Sequence, residues 1–188
     1  LQLVDQIASA LARAHQLGVI HRDVKPSNIV VTQDSSGRDK AKILDFGVAK
    51  VAGTATLTGS EDMVGTPGFI APEYIESADI DGRADLYSLG CVLYEMVTGV
   101  LPFDYEYPGE LLMKHLREPP VPPSKRVATI ESALDAFVLR ALEKRPEDRF
   151  RDAFHFRSDL RRVRRSLSAA SKRSLSKARR PKAVAVRS

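Results

Sequence analysis

Two short strings hold the residues with the most chemistry to offer: His21-Arg22-Asp23-Val24-Lys25-Pro26-Ser27-Asn28 and Asp45-Phe46-Gly47. The first brings a carboxylate, an ammonium and a carboxamide close together. The second adds another carboxylate beside a glycine. Moving a phosphoryl group onto a hydroxyl calls for this set: a base for the hydroxyl, a cation for the phosphate, and oxygen ligands for Mg²⁺.

The surrounding sequence predicts how these strings are held. Leu3, Ile7, Leu11 and Ala14 recur at helical spacing, with Gly18 as a stop signal. A β-rich stretch follows. Val19-Ile20 leads into the first string, Ile29-Val30-Val31 follows it, and a polar turn over 33–40 connects to Ala41-Lys42-Ile43-Leu44. This pattern reads as a hairpin with the two strings at its ends. Residues 48–70, rich in Gly, Thr and Ser, read as a long functional loop. Helices are expected over 85–98 (ending at Gly99), 110–117, 130–143 and 153–165. Pro119, Pro120, Pro122 and Pro123 read as a rigid connector, with an SH3-type ligand as the alternative. Beyond about Ser166 the sequence lacks apolar mass and is expected to stay disordered. No internal repeat is evident.

Composition narrows the classes. A chain of 188 residues, 43% hydrophobic, fits one domain or a domain with a tail. A single cysteine, Cys91, excludes an internal disulfide and a cysteine-based zinc cluster, and its neighbours Gly90 and Val92 predict a buried thiol. His15, His115 and His155 show no metal-ligand spacing. No signal peptide or long apolar span is visible, and a reducing, cytoplasmic setting is expected. The formal net charge of +5 hides an asymmetry. Residues 161–188 hold eleven Lys and Arg and no acid, whereas residues 1–160 hold 18 basic and 24 acidic residues, a net of −6. The tail reads as a solvated linker, as a lead into a membrane anchor on an anionic cytoplasmic face, or as a nucleic-acid binder. The last is weakest, because the tail has no aromatic residue for base stacking.

Over residues 1–163 the sequence resembles the C-terminal lobe of the eukaryotic-like Ser/Thr protein kinases, in wording close to the bacterial branch. His-Arg-Asp-x-Lys-x-x-Asn at 21–28, Asp-Phe-Gly at 45–47, Gly-Thr-Pro-Gly-Phe-Ile-Ala-Pro-Glu at 65–73, Asp-Gly-Arg-Ala-Asp-Leu-Tyr-Ser-Leu-Gly at 81–90 and Lys-Arg-Pro-Glu-Asp-Arg at 144–149 occur in family order. The resemblance implies a protein-kinase-like α+β fold: a mainly helical lobe with a small β-hairpin at the catalytic cleft. The catalytic loop would be 21–28, the activation segment 45–73, and 164–188 a basic disordered tail.

The resemblance also implies roles, position by position. Asp23 would be the catalytic base and Lys25 the cation at the γ-phosphate of ATP. Asn28 and Asp45 would hold Mg²⁺, with Mn²⁺ as an alternative. Thr66 would position the target residue. Arg22 would receive a phosphate on the long loop, with Thr58 and Ser60 the favoured acceptors. His21 is expected to pack on Phe46 and to hydrogen-bond toward Asp85. Glu73 and Arg149 would form a buried, structural ion pair. Protein Ser/Thr side chains would be the substrates, and no specific nucleic acid is expected.

The smaller lobe of such kinases supplies a Gly-x-Gly-x-x-Gly turn, a strand lysine and a helix glutamate. No two glycines in these residues are separated by one position, so the glycine turn is absent from them. The expectation is a kinase piece that binds ATP poorly and turns over negligibly by itself, with its missing lobe as a natural partner. A non-catalytic half-kinase acting as a binding module is the alternative. A small-molecule phosphotransferase fits less well, because Ala71-Pro72-Glu73 and the long loop belong to the protein-substrate branch.

Overall fold

The computed structural model describes residues 1–46, 67–76 and 79–178. The chain opens with helix α1, Gln2–Gln16, which buries Val4, Ile7, Ala8, Leu11 and Ala12 on one face. It ends where Gly18 takes φ +73°. The amide of Val19 donates to Ala14 O at 3.0 Å, which closes the helix. Val19 and Ile20 are therefore not the start of a strand, contrary to the β-rich reading.

A single 3₁₀ turn, Pro26–Asn28, feeds β1 (Ile29–Gln33), which pairs antiparallel with β2 (Asp39–Ile43). Asp34 stabilises the turn between them. Its Oδ1 accepts from the Ser36 amide and hydroxyl and from the Arg38 amide, and these bonds hold its carboxyl down at about 2. Gln6 of α1 clamps the outer edge of β2. Its Oε1 accepts from Ala41 N (3.0 Å) and its Nε2 donates to Asp39 O (3.1 Å). The hairpin is thus fixed to α1, and its open end presents Asn28 opposite Leu44, whose amide donates to Asn28 O at 2.8 Å.

The remaining helices surround one buried helix. These are α2 (Pro72–Ile75), α3 (Gly82–Thr98), α4 (Pro108–Arg117), α5 (Pro123–Arg126), α6 (Ser132–Ala141) and α7 (Ala153–Ala178). Helix α3 is buried continuously from Ala84 to Tyr94, the signature of a core helix rather than an amphipathic surface one. Asp81 caps it, accepting from Arg83 N, and Gly99 ends it at φ +79°. Cys91 lies within this buried run, and burial pushes its thiol well above the ordinary range. Gly90 allows α6 to approach, since a Cβ there would stand 2.8 Å from the Ala141 Cβ. Phe137, Phe150 and Phe156 close the core with ring centroids 4.8–5.1 Å apart. Pro123 begins the short α5 instead of merely extending the connector.

Helix α7 runs to Ala178, past the end at Arg165 that the sequence predicts and through residues expected to be disordered from about Ser166. The reason is the spacing of Leu160, Val163 and Leu167, which line the core at helical intervals, with no Pro or Gly before Pro181. Arg157 and Arg161 fasten α7 to Asp5 of α1 at 3.0–3.2 Å.

His115 of α4 is completely buried. It accepts the Tyr87 hydroxyl at Nδ1 (2.9 Å), while its Nε2 faces the Gly68 backbone without reaching hydrogen-bond geometry. Burial first, and then the nearby Lys144 cation, push its pKa down to about 3 from 6.5. Above pH 6.5 the ring is neutral in both folded and unfolded chains. As pH falls toward 3, the unfolded chain binds a proton that the folded one refuses, and stability is lost. We expect His115→Gln, which can still accept from Tyr87, to flatten the stability-versus-pH slope between pH 6.5 and 3 by about one proton. Urea titrations at stepped pH would measure it.

Candidate active site

The first residues of the 21–28 string are held from below by one carboxylate. Asp85, in the first turn of α3 and 1% exposed, accepts three hydrogen bonds of 2.8 Å: from the amides of His21 and Arg22 and from His15 Nε2. The positive end of the helix dipole favours a carboxylate there. The two amide bonds hold Arg22 at φ +66°, a left-handed conformation that costs a non-glycine residue about 1–2 kcal/mol. His15 reaches Asp85 because position 82 is glycine. A Cβ there would fall 2.5 Å from His15 Nδ1.

The expected hydrogen bond from His21 to Asp85 is made by the His21 backbone amide, and the ring bonds elsewhere. Nδ1 accepts from Asp23 N (3.2 Å), so Nε2 carries the proton and donates to Leu44 O (2.9 Å). The ring centroid lies 4.6 Å from that of Phe46. Asp23, His21 and the Asp45 segment are in this way connected by a single imidazole.

Above this base sit the polar groups. Lys25 Nζ lies 2.9 Å from Asp23 Oδ2. Asn28 Nδ2 donates to Asp23 O (2.8 Å) and to Asp23 Oδ2 (2.9 Å). The amide's donor half is thereby committed to Asp23, leaving its carbonyl oxygen as the half suited to a hard cation. Asp45, exposed, follows Leu44 at the end of the hairpin and takes φ +54°. A neutral and an anionic oxygen donor at the mouth of one hairpin match what Mg²⁺ takes from proteins, one or two carboxylates with the remaining positions left to phosphate and water.

Glu73 and Arg149 meet as a bidentate pair, with Arg149 Nη1 and Nη2 donating to Glu73 Oε1 and Oε2 at 2.7 and 2.8 Å. Arg149 also donates to the carbonyls of Glu143, Lys144 and Arg83 and stacks on the Tyr87 ring. Thr58, Ser60 and Thr66 lie outside the described residues. Two contributors were not visible in sequence: His15, which orients Asp85, and Lys144, whose ammonium caps the carbonyls of Lys114 and His115 at the end of α4. Burial lowers Lys144 to about 8, which leaves it charged at neutral pH.

This geometry agrees with comparison to known proteins. Residues 2–156 match the family described as "Protein kinase domain". The serine/threonine-protein kinase PknB of Mycobacterium leprae is 43% identical over 164 residues, which are 87% of this chain and 26% of that protein. The serine/threonine-protein kinase pkn3 of Myxococcus xanthus is 40% identical over 183 residues, 93% of this chain and 34% of that protein. The crystal structure of the Mycobacterium tuberculosis PknI kinase domain superimposes with a TM-score of 0.61 at 30% identity, covering 86% of this chain and 54% of that one. The chain belongs to the protein kinase family, with the bacterial Ser/Thr kinases among its relatives, and it has the fold of their helical lobe. It spans a quarter to a third of the length of these two relatives. Among the described residues, no helix is long and apolar enough to cross a membrane.

Proposed function

We propose that this chain is the catalytic-loop lobe of a Ser/Thr protein kinase, a phosphotransferase acting on protein hydroxyls. The observation that carries the reading is the convergence of Lys25 Nζ and Asn28 Nδ2 on Asp23 Oδ2, at 2.9 Å each, on a loop fixed by Asp85. A lobe kept only for binding has no use for that arrangement. Asp23 takes the proton of the incoming serine or threonine hydroxyl. Lys25 orients Asp23 and brings positive charge to the place where phosphate charge builds. Asn28 and Asp45 are the residues that would hold Mg²⁺. Bound Mg²⁺–ATP supplies the phosphoryl group and neutralises its charge. The segment from Pro67 to Ile70, braced through Glu73 by Arg149, is the expected rest for the target residue.

Because phosphoryl transfer depends on positioning, these 188 residues by themselves should turn over negligibly. The test compares the 188-residue chain with the protein extended through the reading frame upstream of Leu1, using γ-labelled ATP and a serine-containing protein. The extended protein should transfer label and lose this with Asp45→Ala, whereas the short chain should not transfer. Asp45-dependent transfer by the short chain would overturn the view that it needs a second lobe. Absence of transfer by both would overturn the kinase reading in favour of a binding module.

A further inference from the structure

The 67–70 segment closes a turn of its own, with the Ile70 amide donating to Pro67 O at 3.3 Å. That bond leaves the carbonyl of Gly68, at a corner of the turn, unused within it. Gly68 is buried against the side chain of Leu101. A Cβ at position 68 would stand 2.7 Å from Leu101 Cδ1. The segment proposed as the rest for the target residue therefore turns bare backbone toward the interior at this point.

Facing it is the imidazole of His115, 0% exposed. Because Nδ1 accepts the Tyr87 hydroxyl at 2.9 Å, the proton sits on Nε2. Nε2 is shielded from water and has no hydrogen-bond partner among the described residues. The group nearest to it is the Gly68 backbone, where the carbonyl oxygen is the acceptor. Buried polar atoms are paired as a rule, and a buried donor left open costs free energy. The ring is not free to turn toward another partner. Phe103 and Tyr87 meet it edge-on, with centroids 5.0 and 5.7 Å away, and Lys144 Nζ holds the His115 carbonyl at 2.8 Å. The turn, only half-buried at Pro67, Phe69 and Ile70, is the side with room to shift.

We propose that His115 is a positioning residue for the target serine or threonine: its Nε2–H closes on Gly68 O when the acceptor protein seats on 67–70. This inference rests on the proposed function. Hydrogen bonds of an active site are often long in the empty protein and tighten in the complex. A chain laid across 67–70 presses the turn toward α4 and brings the waiting donor and acceptor together. The relay runs from Tyr87 in the core helix α3, through one imidazole of α4, to the turn that receives the acceptor. Tyr87 takes part because its hydroxyl fixes the tautomer that puts the proton on Nε2. The bond is gained when the acceptor binds and not when nucleotide binds. Its loss should therefore weaken acceptor binding alone, by about three- to tenfold.

The test uses the protein expressed from the complete reading frame that contains this chain, with Mg²⁺–ATP and histone as the acceptor, and measures KM for each substrate separately. His115→Asn keeps an acceptor for Tyr87 but is too short to reach Gly68. It should raise KM for histone about three- to tenfold and leave KM for ATP unchanged. His115→Gln, whose longer amide can accept from Tyr87 and still donate to Gly68, should bring KM for histone back near the parent value. Tyr87→Phe keeps the ring but frees the tautomer. It should raise KM for histone in the same direction, and it carries the test if His115→Asn does not fold. An unchanged KM for histone in the folded variants, an equal rise in both KM values, or no recovery in His115→Gln would overturn this inference and leave the kinase reading standing. If the parent protein labelled no histone, the kinase reading would fall and this inference with it.

Discussion

Replacing Arg149 by alanine is expected to destabilise the fold by about 3–5 kcal/mol, the cost of leaving a buried charge without its partner. Arg149 is 2% exposed and Glu73 4%. Removing the guanidinium strands the Glu73 carboxylate together with three carbonyl oxygens, those of Glu143, Lys144 and Arg83. It also takes away the group stacked 4.8 Å from the Tyr87 ring centroid. Arg149→Lys should recover little, since an ammonium cannot span both carboxylate oxygens and reach the carbonyls in one plane. Urea unfolding of the two variants would measure the loss. A cost below about 1 kcal/mol, the range of exposed pairs, would show that the pair is not shielded from water as its geometry requires.

Asp23→Asn is expected to lower the rate of phosphoryl transfer by about 10²–10⁴-fold in the protein carrying both lobes. The substitution keeps shape and hydrogen bonding. An asparagine oxygen can still accept from Lys25 and from Asn28, so unfolding midpoints should stay within error of the parent. What is lost is the capacity to take a proton. The expected kinetic signature is therefore a fall in kcat with little change in KM for nucleotide. A comparable rise in KM would mean that Asp23 serves nucleotide binding instead of proton transfer.

The legible parts of this molecule are those where side-chain type and spacing decide the outcome. The apolar period of α1, the Gly99 stop of α3 and the hairpin joining Asn28 to Asp45 follow from periodicity and turn residues. The Glu73–Arg149 pairing came from family order, since 76 residues separate the partners and spacing alone could not join them. The less legible parts depend on backbone groups, which every residue carries alike. Residue type pairs His21 with Asp85 but does not say which group of His21 makes the bond: Asp85 binds the His21 and Arg22 amides. The closing bond from Val19 to Ala14, which removes a predicted strand, is likewise between backbone atoms. The end of α7 was hidden for another reason. Leu160, Val163 and Leu167 are few among many arginines and serines, and their value lies in meeting a core already formed by α1 and α6. Average hydropathy discounts such a stripe, whereas packing does not.

The Asp85 cradle also bears on how the loop breathes. Arg83 O receives Arg149, and two residues later Asp85 receives His21 and Arg22. One turn of a buried helix therefore anchors both the segment that would receive a target residue and the loop that would act on it. Loop amides ordinarily exchange with solvent deuterium through small local openings. Those of His21 and Arg22 should behave otherwise, exchanging with the slow class set by global unfolding and tracking the amides at the centre of α3. In exchange experiments the loop that carries Asp23 would then report as part of the core, and the two sides of the cleft would keep their separation until the whole lobe comes apart.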